Sequence, residues 1–332
     1  MLSDILNPEL FSSAVRIATP LALAAIGGTI CERSGVVNIA LEGIMLVGAF
    51  FGVVVTLATG STWLGVLAAV VAGAALAGIH AFASVTLRMD QVVSGTALNI
   101  LALGLTGFLM EVFYGHPGTT DSVRHTLGAV FRFPTPGYDQ WVQHAGSAVI
   151  PPTLLQTVWY WIDSVFLSFT PIVYLAIIVA IGGQWALYRT RWGLRLRALG
   201  EHPRAADTVG IRVRAGRYSA VLISGVLGGL AGANLTLEQV GSFNENMTSG
   251  RGFIALAANI FGRWTPIGSY LASLLFGFAD ALQIKLQAFQ DVIRIPVQFF
   301  LMLPYLLTVI VLAGVMGRAV APAAVGKPYE KE

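Results

Sequence analysis

Nine polar side chains interrupt stretches that are otherwise apolar: Asn38, Glu42, Gln91, Ser94, Asn99, Asn234, Glu238, Gln239 and Asn259. Asn38 and Glu42 are four apart, as are Asn234 and Glu238, so each pair shares a helix face. Amide side chains donate and accept hydrogen bonds, and a hydroxyl does the same. Such a set can line a polar path through apolar surroundings, or it can bond one helix to another. A charge within a membrane span costs about 2.5–3.5 kcal/mol on insertion scales, so Glu42 is expected to face protein rather than lipid. Its partner stays open: Arg33, a solute, or a neighbouring helix.

Other chemistry finds little footing. Cys31 is the only cysteine, which excludes an internal disulfide. His80, His116, His125, His144 and His202 are scattered without metal-ligand spacing, and no metal site is expected. No nucleophile and base set can be assembled for an intramembrane enzyme. No G-x-x-x-x-G-K-[ST] occurs, and the one Gly-Lys pair, Gly326-Lys327, is followed by Pro328. Any phosphate cradling has to come from another chain.

The elements that position these residues are membrane spans. Of 332 residues, 55% are hydrophobic and 11% charged, well below the charge of a soluble domain. The whole chain, 1–332, reads as one all-α polytopic membrane domain with eight to ten spanning or half-spanning helices. Strong candidates run Val36 to Thr59, Trp63 to Leu87, Val92 to Tyr114, Pro171 to Tyr188, Tyr218 to Glu238 and Val297 to Met316. Leu10 to Ile30 is expected to break at Pro20 and Gly27-Gly28. Met1 to Arg16 lacks a basic segment followed by a cleavage site, so no removable signal peptide is expected.

Arg189 to Arg217 holds eight of the twenty basic residues: Arg189, Arg191, Arg195, Arg197, Arg204, Arg212, Arg214 and Arg217. The positive-inside rule makes this loop, 189–217, cytoplasmic, and Arg88, Arg318, Lys327 and Lys331 fall on the same side. The net charge of +3 thus reflects topology rather than nucleic acid. The segment 115–170 then faces outward, with an interfacial aromatic helix around Trp159, Tyr160 and Trp161. Parity requires an even number of crossings between Tyr218 to Glu238 and Val297 to Met316. Phe253 to Gly262 is about 15 Å long as a helix, half a bilayer core, and reads as a re-entrant element descending to Arg263. Ile267 to Leu286 climbs back. A short apolar stretch, Glu32-Arg33, Gly35 and a Gly-punctuated helix weakly echo this in the first half, consistent with a two-fold internal repeat. The side of the N-terminus stays open. Gly225, Gly228, Gly229 and Gly232 are expected to mark close helix packing.

Inside the basic loop, Glu201, His202, Pro203, Arg204, Ala205, Ala206, Asp207, Gly210 and Ile211 frame a two-turn helix, with Pro203 at its start and Gly210 just past its end. The block Glu32 to Phe50, the segment Gly200 to Ile211, Asn259 to Pro266 and Pro304 to Thr308 together resemble the inner-membrane permeases of ATP-driven importers for simple sugars, nucleosides and branched-chain amino acids. The likeness covers nearly the full chain, and Glu32 to Phe50 looks most like the nucleoside branch. Relatives often carry Lys where Arg263 stands. The resemblance implies a bacterial inner-membrane protein working by alternating access. It also implies a second related permease, a cytoplasmic ATP-binding subunit holding the ATP and magnesium, and an external lipoprotein or periplasmic binding protein. Glu201 to Ile211 would be the coupling segment to the ATPase, and the nine polar residues the candidate substrate path. Asn and Gln suit the hydroxyls and ring nitrogens of a nucleoside. A simple sugar such as ribose is the alternative substrate, and an ion-gradient-driven transporter the alternative class.

Overall fold

The computed structural model describes residues 7–124, 126–127, 158, 161–167, 169–288, 296–302, 306, 309–310 and 320–330. Its helices are α1 Pro8–Glu32, α2 Leu41–Thr59, α3 Thr62–Ala81, α4 Gln91–Tyr114, α5 Pro171–Arg189, α6 Arg191–Glu201, α7 Pro203–Thr208, α8 Val213–Ala233, α9 Arg251–Phe261, α10 Pro266–Gln287 and α11 Val297–Leu301. Wider π turns extend α3 over Phe82–Thr86 and α8 over Asn234–Val240. Among the described residues seven helices are long and apolar enough to span a bilayer: α1, α2, α3, α4, α5, α8 and α10. Most of Val297 to Met316, the motif Pro304 to Thr308, and Trp159 and Tyr160 lie outside the described residues.

α1 and α8 run through the middle of the bundle, with 83% of the most apolar stretch of each buried, against 28% for α4 and α5. The peripheral helices turn large side chains such as Leu67, Ile100, Phe108, Ile178 and Trp185 outward, where lipid tails replace a protein core. Without a hydrophobic drive between helices in lipid, the bundle depends on close packing. A Cβ on Gly48 would stand 2.7 Å from the Gly229 Cα, and one on Gly232 2.1 Å from the Met45 carbonyl oxygen. The glycines of α8 therefore let α2 and α3 approach backbone to backbone, as their spacing led us to expect.

α1 does not break. It continues through Pro20 and Gly27-Gly28, which corrects the sequence expectation. The two glycines lie against α8 and α2, facing the Ser224 backbone and the Leu41 side chain, so they serve contact and not a bend. Pro20 cannot donate to the Arg16 carbonyl one turn earlier. The Gln239 Nε2 reaches that carbonyl at 2.9 Å and fills the vacancy.

The end of α1, the α3–α4 turn, α6, α7 and the α9–α10 turn share one face with the basic loop, which makes that face cytoplasmic. The first turn of α1 lies at the opposite, outer end: the Lys285 ammonium late in α10 donates to Asn7 at 3.1 Å and pairs with Glu9 at 3.5 Å. This fixes the side that the sequence left open. α9 is the half-length element expected there, about 16 Å at 1.5 Å per residue.

Candidate functional site

Three breaks in helical structure organise the polar residues, because each break frees buried backbone groups that need other partners. The first is the turn between α9 and α10. Arg263 and Trp264 both take left-handed backbone, with φ of 55° and 52°, a conformation that side-chain-bearing residues adopt at a cost. α1 holds this turn. The Arg33 guanidinium donates to the Trp264 carbonyl at 2.7 Å, to the Arg263 carbonyl at 3.2 Å and to the Tyr188 hydroxyl at 3.1 Å. The buried Glu32 carboxylate accepts from the Trp264 indole. Thr29 donates to Asn259 Oδ1 at 2.7 Å and sits 2.7 Å from the Ser269 hydroxyl, tying α1 to both α9 and α10.

The second break is the non-helical descent 241–250 that leads from the outer end of α8 into α9. An antiparallel bridge joins Asn244 to Thr119 beyond α4. From there Asn246, Ser249 and Gly250 adopt positive φ, and Asn244, Glu245, Asn246 and Ser249 stay exposed. At its foot the first N–H groups of α9 lack helical partners. Glu42, in the first turn of α2, supplies them. Its two oxygens accept from Gly250 N–H at 2.8 Å and Gly252 N–H at 2.6 Å. A carboxylate there also complements the positive end of the helix dipole.

The third break is 33–40, between α1 and α2. α4 satisfies its backbone: Gln91 accepts from Val37 N–H at 2.7 Å, and Asn99 accepts from Gly43 N–H at 2.8 Å while donating to the Ile39 carbonyl at 3.0 Å. Ser94 bonds His80 at 3.0 Å, and the other nitrogen of that ring meets the Val37 carbonyl at 2.9 Å. Asn38 donates to Ser224 of α8 at 2.9 Å, which leaves its Oδ1 buried without a partner among the described residues.

The nine expected residues thus fall into two groups. Asn38, Glu42, Gln91, Ser94, Asn99 and Asn259 surround the inner breaks. Asn234, Glu238 and Gln239 sit at the outer mouth, where a cleft of about 260 Å³ also admits Arg16 and Thr170. There Glu238 accepts from the Thr170 hydroxyl at 2.7 Å, from Ile172 N–H at 3.1 Å and from the Asn234 amide, so it caps the start of α5. Glu32, Arg33 and the descent Asn244 to Ser249 were not among the expected site residues. The polar run Ser242-Phe243-Asn244-Glu245-Asn246 just before a half-length helix was the available signal for the descent.

On the cytoplasmic face α7 is the short helix expected within the basic loop, and α6, which was not expected, precedes it. α7 is Pro203–Thr208, and Gly210 follows with φ of 82°. Glu201 ends α6, and His202 joins the two helices. Ala206 is buried, while Arg204, Ala205 and His202 are exposed; Asp207 bonds Tyr329, and Ile211 N–H returns to the Ala206 carbonyl at 3.1 Å. Burial and the Asp207 carboxylate push the Tyr329 phenol above its ordinary value.

A helical bundle with a half-length helix, left-handed turns at membrane depth and a short helix pair on its basic cytoplasmic face has the build of a solute permease. The chain belongs to the family described as branched-chain amino acid transport system, permease component, whose sequence profile matches residues 10–312. It is 44% identical over 324 residues, 95% of this chain and 94% of the relative, to the guanosine ABC transporter permease protein NupQ of Bacillus subtilis. It is 42% identical to the nucleoside ABC transporter permease protein NupC of Lactococcus lactis, over 95% and 94% of the two chains. The putative glucose ABC transporter permease protein TsgC13 of Haloferax volcanii is 38% identical over 84% and 78%. No solved structure matches. The chain is a multi-pass protein of the bacterial plasma membrane and a transport component.

Proposed function

We propose that this chain is the membrane-spanning subunit of an ATP-driven importer of nucleosides. The observation that carries the substrate class is similarity above 40% across nearly the whole length to two permeases named for guanosine and nucleosides. The reading includes a second, related permease, a cytoplasmic ATP-binding subunit and an external binding protein, with ATP and magnesium held by the ATP-binding subunit. Coupling would pass through α7, a short, partly exposed helix on the cytoplasmic face. The α9–α10 turn, whose contact with α1 runs through the Arg33 guanidinium on two of its carbonyl oxygens, is the natural place for the core to open inward.

A nucleoside is uncharged, so its passage needs donors and acceptors rather than counter-ions. The exposed face of the descent supplies them in Asn244, Asn246 and Ser249. The relative named as a putative glucose permease supports a second reading, a simple sugar. Uptake of labelled guanosine, adenosine, uridine, ribose and glucose into proteoliposomes holding the four-component complex separates them. ATP-dependent accumulation of nucleosides is expected. Accumulation of a free sugar alone would replace the substrate assignment, and uptake indifferent to ATP would remove the importer.

A further inference from the structure

The polar residues at membrane depth differ in what their side chains are already bonded to. Glu42, Gln91, Asn99 and Glu238 are committed to backbone or side chains of neighbouring elements. Asn244, Glu245 and Asn246 of the descent are exposed, and among the described residues their side chains enter no hydrogen bond or ion pair. Their main chain, by contrast, is fixed. Glu245 N–H donates to the Gly118 carbonyl at 2.8 Å, Thr120 N–H donates to the Phe243 carbonyl at 3.0 Å, and Asn246 stands in left-handed backbone with φ of 56°. A held backbone that carries uncommitted polar side chains is suited to recognition.

Glu245 is the one charged side chain of the three. A Cβ added to Gly107 of α4 would stand 3.1 Å from its Oε1, and Glu245 is the only group beyond that helix that it would meet. The carboxylate therefore rests against the bare face that this glycine leaves on α4. Gly107 lies seven residues, about 10 Å, inside the outer end of the helix at Tyr114. An acid facing lipid at that depth is costly, so the charge faces a wet path.

An ionised carboxylate only accepts, and its two oxygens suit two parallel N–H donors. Among the common nucleobases guanine alone sets two such donors, N1–H and N2–H, side by side on the edge by which extruded bases are read. Adenine and cytosine place an acceptor beside their donor, and uracil flanks its single N–H with two carbonyls. Against those bases one carboxylate oxygen meets an acceptor, and a polar group left unpaired in this way is what rejects a wrong solute.

We propose that Glu245 selects the base: its carboxylate accepts N1–H and N2–H of a guanine nucleoside entering the descent, and the amides of Asn244 and Asn246 carry donors for O6. This role rests on the nucleoside-importer reading and adds to it a choice of base made by the permease itself.

The test compares uptake of guanosine, of inosine, which lacks the N2 amino group, and of uridine into proteoliposomes holding the four-component complex. The binding protein is the same throughout, so a changed preference reports this chain. Glu245→Gln is expected to lower the guanosine-to-inosine ratio of kcat/KM about tenfold, the worth of one charge-assisted hydrogen bond, and to leave uridine within about twofold. Glu245→Asp, which keeps both acceptors on a shorter stem, should retain part of the preference. An unchanged ratio in Glu245→Gln would overturn the proposal and leave base selection to the binding protein. An equal loss for all three solutes would overturn it too, since Glu245 would then serve assembly or opening and not recognition. Absence of ATP-dependent nucleoside uptake by the wild-type complex would instead remove the importer reading on which the role of Glu245 rests.

Discussion

Glu42 and Glu238 are both intramembrane acids that cap a helix belonging to another part of the chain, yet they are built differently. Glu42 gives one oxygen each to two backbone N–H groups, of Gly250 and Gly252. Glu238 gives one oxygen to the Ile172 N–H and the other to two side chains, Thr170 and Asn234. Backbone donors cannot turn round, whereas a hydroxyl rotates and an amide flips. Glu42 is therefore locked at the foot of the descent and braces α9. Glu238 borders an open cleft with adaptable neighbours, and a solute or water can exchange with them. The same residue type serves as a brace where its partners are rigid and as a site where they are not.

The comparison breaks most readily at Gly252. A Cβ there would stand 2.4 Å from the Glu42 nitrogen and 2.5 Å from its Cα, both backbone atoms that cannot step aside. Gly252→Ala is expected to cost about 3 kcal/mol or more by forcing α9 off its cap. The check is thermal unfolding of the detergent-solubilised complex, with a wild-type midpoint as the result that refutes a rigid brace. Glu42→Gln comes next. An amide nitrogen would then face one of the two N–H groups, donor against donor, for a loss of about 2–3 kcal/mol. Glu238→Gln should cost only about 1 kcal/mol, because the Thr170 hydroxyl can turn from donor to acceptor. Its larger effect should fall on uptake per folded complex, measured beside stability in the same preparations. If Glu238→Gln destabilises more than Glu42→Gln, the contrast between brace and site is wrong.

Much of this was legible in the sequence because hydropathy and charge speak for themselves in lipid. The basic stretch Arg189 to Arg217 set the inner face, parity required the re-entrant element, and Pro203 and Gly210 bracketed α7. The misreading of α1 has a simple cause: Pro20 and Gly27-Gly28 are breakers only when nothing else compensates, and here Gln239, more than two hundred positions away, serves the Arg16 carbonyl while Ser224 and Leu41 pack on the glycines. The nine polar residues were picked out, but not their division between inner breaks and outer mouth; the expected shared helix face of Asn38 and Glu42 does not form, because Asn38 lies in the non-helical stretch 33–40 before α2 begins at Leu41. Arg217 looked like one more arginine of a cytoplasmic loop. It is buried, and its guanidinium donates to the Lys327 carbonyl more than a hundred positions away, a contact that no local pattern signals.

The smallest effect offers the sharpest test of how the outer mouth is held. Gln239 Nε2 donates both to the Arg16 carbonyl and to Asn234 at 2.9 Å each, and Asn234 in turn holds Glu238. Gln239→Ala should cost about 1 kcal/mol, since it orphans a carbonyl that Pro20 cannot serve and loosens Asn234. Pro20→Ala alone should be nearly neutral, because the N–H it restores points at an acceptor already bonded. In the double variant that N–H takes over the Arg16 carbonyl, so the combined loss should be smaller than Gln239→Ala alone by about 0.5 kcal/mol. Additive losses in this cycle would mean that Gln239 matters to the outer mouth only through Asn234, and that the unbroken course of α1 through Pro20 rests on its packing against α8 and α10.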